Sequence, residues 1–468
     1  MKKELVTCVA TGMVLLLGVT ALAQTEIERR ERVDTWDKQK IRYAIGMSTD
    51  RAKQFVTVPD GYPGARDFEV AKEVPEVDFA PVRDLVPEFF PEDNKGLWSQ
   101  WGEVTKGPNG RFYMASGDHR CKNGKVYVTE YDPVAKEQRI VVDVARTCGW
   151  KENQLVHGKI HGRMDVMADG TLVGLTWHGS PIKQEWLDQG YVKGGYMFTY
   201  NVLTGVTEYL GIPFYGDSFP YYSVDVKTGV VLAVGAYYNI MAYNVREKRL
   251  LYGGMPPDGI QWCLRATLID DRTGMLYSTD ESSPTKQFVS YDYKTNMFRR
   301  LDCSPPAHPV TGEPERLRAY TARPTPDGAF ICMGQEGSVF KFYPDSERTE
   351  LMGLNWDASG DYTTSVAMDS RSRYLYYVPG SHGRTMNLAT PVVQYDLQTG
   401  KKKAIAFLGP YYHEKYGYNT TGTFGIELSA DDSLLIVHMN GGFGPDPLKA
   451  MFEHPAIFAV HIPESERQ

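Results

Sequence analysis

Residues 270–301 read "DDRTGMLYSTDESSPTKQFVSYDYKTNMFRRL". A D-R-T-G turn leads into the strand-like run "MLYST". A polar loop follows, then the run "FVSYD", a "YKTN" corner and a third run, "MFRRL". Asp, Asn and Gly tolerate the left-handed backbone that tight hairpin turns demand, so each such signal between apolar runs marks an antiparallel strand pair.

The same order recurs after residue 95. Hairpin members include "GPNGRFYMA" (107–115), "MADGTLVGL" (167–175), "DVKTGVVLAV" (225–234), "TPDGAFICMG" (325–334), "DSRSRYLYYV" (369–378) and "SADDSLLIVHM" (429–439). Corner members include "FTYNVLTGVTEYL" (198–210) and "VQYDLQTGKKKAI" (393–405). Units of roughly 40–60 residues with about four short strands each are the signature of β-propeller blades. Seven units start near residues 97, 158, 215, 260, 316, 360 and 417. The expectation is an all-β, seven-bladed propeller of four-stranded antiparallel blades over residues 96–468. The last unit shows three strands, at 422–429, 433–439 and 456–462. An unclosed sheet edge invites wrong pairing. The N-terminal arm, residues 24–95, is therefore expected to supply a closing strand.

The 468 residues carry a formal net charge of −7 and no long basic run, which argues against nucleic acid as a partner. Thirty Tyr, 45 Gly and 28 Pro suit strands and turns. Residues 1–23 have Lys2 and Lys3, an apolar run and Ala21-Leu22-Ala23, the pattern of a cleaved secretory signal peptide. A secreted or periplasmic, monomeric protein is expected, with no membrane contact after cleavage. Five cysteines then remain: Cys121, Cys148, Cys263, Cys303 and Cys332. A Cys121–Cys148 disulfide is one reading. A structural zinc held by Cys303, His308 and Cys332 is another, because thiolate and imidazole are zinc's usual ligands. Buried free thiols are the third.

In a propeller the first strand of each blade lines a central channel. In blade 2 the Asp169-Gly170 turn, taken as two residues, pairs positions whose numbers sum to 339. His161 and His178 then become direct cross-strand neighbours at the channel mouth. Lys159 and Arg163 flank them, and His157 falls in the entry loop. Blade 3 offers Tyr221, Tyr222, Tyr237 and Tyr238, blade 4 Trp262 and Arg265, and blade 5 Arg318, Tyr320 and Arg323. Aromatic faces stack on sugar rings, and Arg or Lys pairs with carboxylate or sulfate. Such a funnel suits an acidic polysaccharide or oligosaccharide. β-Elimination at a uronic acid needs a neutralised carboxylate, a base for the C5 proton and an acid for the leaving oxygen. His161, His178, Tyr222 and Arg265 supply these roles without a cofactor. Lys159, Arg163, Tyr238, Trp262 and Tyr320 are the candidate substrate-binding residues.

The stretches "HGKIHGRM" (157–164), "LTWHG" (175–179) and "FPYYS" (219–223) give the chain a resemblance to the propeller-type polysaccharide lyases, ulvan lyases especially. The resemblance implies a lyase acting on a uronic-acid-containing, ulvan-like polysaccharide. His161 and His178 would be its paired histidines and Tyr222 its catalytic tyrosine. The family pattern places an arginine on the strand partnering that tyrosine. Tyr237 and Tyr238 stand there in this chain, so Arg265 or Arg163 must neutralise the carboxylate. Two other classes stay open. A propeller glycoside hydrolase needs a carboxylate pair, for which Asp280, Glu281, Asp118 and Glu336 are available. A non-catalytic carbohydrate-binding propeller needs only the aromatic and basic mouth.

Overall fold

The structure, a computed structural model, describes residues 44–62, 67–82, 98–118, 125–150, 157–179, 193–356, 360–381, 385, 389–446 and 452–468. Residues 1–23, with the leader pattern, and Cys121 lie outside them. The strands form seven sheets, the blades of a propeller. Blade 3 shows the plain pattern. Tyr221–Asp225, Val230–Val234, Ile240–Asn244 and Arg249–Gly254 pair antiparallel in chain order. The inner three are buried almost throughout, while the outermost alternates towards solvent. That gradient is what a blade packed on both faces near the axis requires.

Blade 4 begins at Leu268–Asp270, blade 5 at Leu317–Tyr320, blade 6 at Ala367–Met368 and blade 7 at Tyr418–Leu428. Blade 1 is built on Phe112–Asp118, Val126–Asp132 and Glu137–Asp143, with Thr105–Lys106 and Trp98–Gln100 on its inner side. Blade 2 has three regular strands, Thr171–Leu175, Met197–Asn201 and Thr207–Gly211. Its inner segment touches them through two isolated bridges, Lys159 with Trp177 and Val166 with Leu172. Apolar clusters run from each blade to the next. One spans blades 1 to 3, and another joins Leu434, Ile436, Ile457 and Ala459 of blade 7 to Phe112, Met114 and Tyr131 of blade 1. The ring is thus packed shut all the way round.

The inner hairpin of every blade turns through one residue with positive φ: Gly110, Gly170, Gly229, Gly274, Gly328, Ser372 and Asp432. In five of the seven that residue is glycine, which enters this region without a Cβ penalty.

Blade 7 takes its fourth strand, Glu76–Pro81, from the N-terminal segment, antiparallel to Ala456–His461, and Ser48–Asp50 adds a fifth. Asp78 on that strand is wholly buried. His461 Nε2 lies 2.8 Å from its carboxylate, Thr49 Oγ1 2.6 Å, Lys136 Nζ 3.0 Å and Tyr131 Oη 3.2 Å. Burial alone would raise its pKa, but the bonds from His461, Thr49 and Lys136 outweigh burial and hold it at about 2. Lys136 and Tyr131 belong to blade 1, so the closing strand is tied electrostatically to the first blade as well as paired with the last.

Candidate active site

Eight to ten residues before each positive-φ turn residue, one side chain per blade meets the others on the axis: Trp101, His161, Tyr221, Arg265, Arg318, Tyr362 and Phe424. Their contacts join blades that are not neighbours, which only axial side chains do. The Trp101 ring lies 5.7 Å from His161 and 4.8 Å from Phe424. His161 lies 5.7 Å from Phe424 and 6.4 Å from Tyr221. Arg265 Nη1 is 2.9 Å from His161 Nε2. Arg318 Nε donates to Tyr362 Oη at 2.6 Å, and its guanidinium lies 5.5 Å from the Phe424 ring.

Three of the seven are followed by glycine: Trp101-Gly102, His161-Gly162 and Phe424-Gly425. A Cβ at Gly162 would collide with the Tyr222 ring. At Gly102 it would crowd the Ile160 and Gly162 carbonyls, and at Gly425 the Val104 backbone. Side chains alternate along a strand. The position after each axial residue therefore faces the next blade, and where the blades approach closely it has no room.

Above this ring, Lys159 Nζ lies 4.0 Å from the Trp101 ring centre and 4.6 Å from that of Trp177. His178 and His157 stand edge to face beside it, 6.0 Å apart. Below the ring is a floor of neutral hydrogen bonds around a buried acid. Tyr221 Oη donates to Glu103 at 3.2 Å, and Ser365 Oγ donates to its other oxygen at 2.5 Å. Tyr320 Oη donates to the Thr267 carbonyl at 2.5 Å and lies 3.4 Å from Tyr221 Oη. Burial raises the Glu103 pKa against the pull of Arg163. Beyond the floor, Arg163 pairs with Asp165 at 2.6 Å and Glu427 at 3.7 Å, and it lines cavities of about 250 and 180 Å³ that open at the opposite end.

The His161 and His178 imidazoles are both uncharged at neutral pH. Burial pushes His161 well below its ordinary range, and the charges of Arg265, Lys159 and Arg318 push further. Burial also takes His178 down to about 4, against a hydrogen bond to Gly179, with Lys159 adding to the fall. Arg265 has only N–H donors, so His161 Nε2 accepts and the ring proton sits on Nδ1. His178 has the reverse tautomer. Its Nδ1 faces the Gly179 carbonyl, which only accepts, so the lone pair is on Nε2. Among the described residues, Arg265 and Arg318 form no ion pair with a carboxylate.

Several sequence expectations change on this geometry. His161 and His178 are not cross-strand partners. The turn spans three residues, Ala168 to Gly170, with Met167 opposite Thr171, and a further irregularity brings Lys159 opposite Trp177. His178 faces His157 instead. Tyr222 is fully buried between blades 2 and 3. Its hydroxyl donates to the Val173 carbonyl and accepts from Leu175 N, both at 3.2 Å, so Tyr221 is the tyrosine on the axis. Trp262 is fully buried in the core between blades 3 and 4. Tyr238 lies in the turn between the second and third strands of blade 3, with φ 64°. Arg163 and Tyr320 lie at and below the floor, while Lys159 and Arg265 are at the ring or above it.

The proposed zinc ligands do not come together. Cys303 and Cys332 are free thiols and His308 Nδ1 accepts from Thr311 N at 3.2 Å. Asp280 is bonded to Arg300 and Ser282, and Glu281 faces Arg316, so neither forms a hydrolase pair. Sequence reading missed Trp101, Glu103, Tyr362 and Phe424 altogether. The spacing of eight to ten residues back from each turn, with glycine next in three cases, is the signal that finds the axial ones.

No family model and no curated protein matches the chain. In fold it is similar to a solved structure described as an oligogalacturonate lyase in complex with manganese. The TM-score is 0.52 at 7% identity, over 92% of this chain and 100% of that one. At that identity the likeness carries the propeller fold alone. Among the described residues, the one group of three side chains close enough to share an ion is Glu76, Asp78 and His461. Lys136 Nζ already lies 2.7 Å from Glu76 and 3.0 Å from Asp78, and an ammonium there repels a second cation. That group fits a structural ion network at the blade 7–blade 1 seam and does not fit a metal.

Proposed function

We propose that the protein is a lyase that cleaves a uronic-acid-containing oligosaccharide or polysaccharide by β-elimination. One observation carries the reading. Two neutral imidazoles, His161 and His178, stand among Trp101, Trp177 and Phe424 beside Arg265 and Lys159, with Arg318 next to them, and no described carboxylate forms an ion pair with either arginine.

The uronate carboxylate binds Arg265 and Arg318, which draws charge from C5 and makes its proton more acidic. His161 Nε2, beside the carboxylate clamp, takes that proton. The C5–H electron pair forms the C4–C5 double bond, and the C4–O bond breaks. The leaving oxygen takes its proton from the layer above, where Lys159 supplies an ammonium and His178 orients the sugar. Trp101, Trp177 and Phe424 give the sugar rings apolar faces. Tyr222, wholly engaged between blades, has no part in this scheme. The propeller neighbour, described as an oligogalacturonate lyase, supports the same reaction class. The leader pattern of residues 1–23 supports action outside the cytoplasm, on polymer or oligomer from the surroundings.

The test is ultraviolet absorbance of the unsaturated uronate product, with purified protein and a panel of galacturonate, glucuronate and sulfated uronate polymers. A rising signal on any of them supports the reading. New reducing ends without absorbance mean hydrolysis, and binding with neither product means a carbohydrate-binding propeller. Either result overturns it.

A further inference from the structure

Arg265 and His161 hold each other in a state that cannot do chemistry. The guanidinium occupies the Nε2 lone pair at 2.9 Å. The other ring nitrogen, Nδ1, is buried with no hydrogen-bond partner among the described residues. Arg318 sits beside this pair. Its Nη1 donates to the Arg265 carbonyl at 3.2 Å and its Nε to Tyr362 Oη, while Nη2 is buried with no partner among the described residues. Arg318 is 2% exposed, and an unmet guanidinium N–H at that depth leaves a donor waiting for an acceptor. The Arg318 charge also repels that of Arg265, neither arginine forms an ion pair with a described carboxylate, and an anion between them relieves that repulsion and meets the open donor.

We propose that Arg265 is a substrate-operated cap: an anionic group seated between Arg265 and Arg318 draws Arg265 off His161 Nε2, so the imidazole lone pair is released only when the anion is bound. The inference rests on the lyase reading for its biological meaning, and on geometry for its existence. It makes Arg265 a positioning residue for His161 as well as a ligand for the carboxylate. It also explains how a base can stand in a cationic funnel without binding stray acids. Its lone pair is hidden until the group that acidifies the substrate proton arrives. A neutral sugar carries no group to draw Arg265 away and so leaves the cap closed.

The test is two-bond ¹H–¹⁵N correlation spectroscopy of ¹⁵N-histidine-labelled protein at neutral pH, with the His161 signals assigned by their loss in His161→Gln. The probe is galacturonate monomer, followed in parallel by calorimetry. The capped state shows the Nδ1–H tautomer. Saturating galacturonate is expected to move His161 towards mixed tautomers. Arg265→Ala is expected to show that shifted pattern without any anion. Arg318→Ala is expected to keep the capped pattern while weakening galacturonate binding at least about tenfold. The proposal is overturned by an unchanged His161 pattern at saturation, by a capped pattern in Arg265→Ala, or by no binding of galacturonate. A tautomer switch in a protein that releases no unsaturated product removes the lyase reading and keeps the cap. Product formation with a fixed tautomer does the opposite.

Discussion

Arg163 and Arg265 are two buried arginines on one channel, and they are matched in opposite ways. Arg163, below the floor, meets Asp165 at 2.6 Å and Glu427 at 3.7 Å. Arg265, in the ring above, meets an imidazole. A buried guanidinium with carboxylate partners is complete, and its removal strands those carboxylates. A buried guanidinium whose partner is neutral retains net charge to offer a ligand. On the proposed reading the channel therefore has a structural end and a chemical end, divided by the Glu103–Tyr221–Tyr320 floor.

The largest effect should come at the chemical end. His161→Ala is expected to lower kcat/KM on a uronate substrate by about 10³-fold, with the melting temperature held. A loss below tenfold would break the division. Next comes the structural end. Arg163→Met should destabilise the fold by about 3 kcal/mol in denaturant titration, while the protein that remains folded keeps its KM. An altered KM there would show that substrate reaches past the floor. Arg265→Ala should reduce kcat/KM by about 10²-fold at little cost in stability, the mirror image of Arg163→Met.

The pH dependence sharpens the same contrast. His178 is held at about 4, below its ordinary value, so the unfolded chain binds the extra proton first as pH falls. Its contribution to stability is intact above pH 6.5 and declines between there and about pH 4, by about 3 kcal/mol. A thermal-melt series should show this slope. Its absence in wild type, or its persistence unchanged in His178→Gln, would assign acid sensitivity to other groups. The smallest effect is expected from Tyr222→Phe, which removes one buried hydroxyl. It should cost about 1 kcal/mol and leave kcat/KM within about twofold. A large kinetic loss would return Tyr222 to the chemistry.

Turn chemistry made the propeller legible. Seven hairpins, each announced by Asp, Asn or Gly at the bend, leave few other folds open to the chain. The gathering of cations and an imidazole was legible too, since His161, Arg265 and Lys159 do meet at one end of the channel. What failed was parity and register. One extra residue in the Met167–Thr171 turn, then an irregular segment before it, moved His178 from His161 to His157. A single step along "PYYS" decides whether Tyr221 or Tyr222 faces the axis, because strand neighbours point opposite ways. Apolar ring members such as Phe424 look like core in sequence, and only their distance from the turn distinguishes them.

The pairing of Glu76–Pro81 with Ala456–His461 has a consequence in time. A ribosome adding 5–20 residues per second needs roughly 20–75 s to go from the first of these strands to the second. Throughout that interval the early strand exists without its partner, and Asp78 without His461. Six blades can stack as they are made, but the seventh waits for the end of synthesis. Its first-made strand therefore waits longest for its partner, and a chaperone that shields residues 76–81 would cover that open edge throughout the interval.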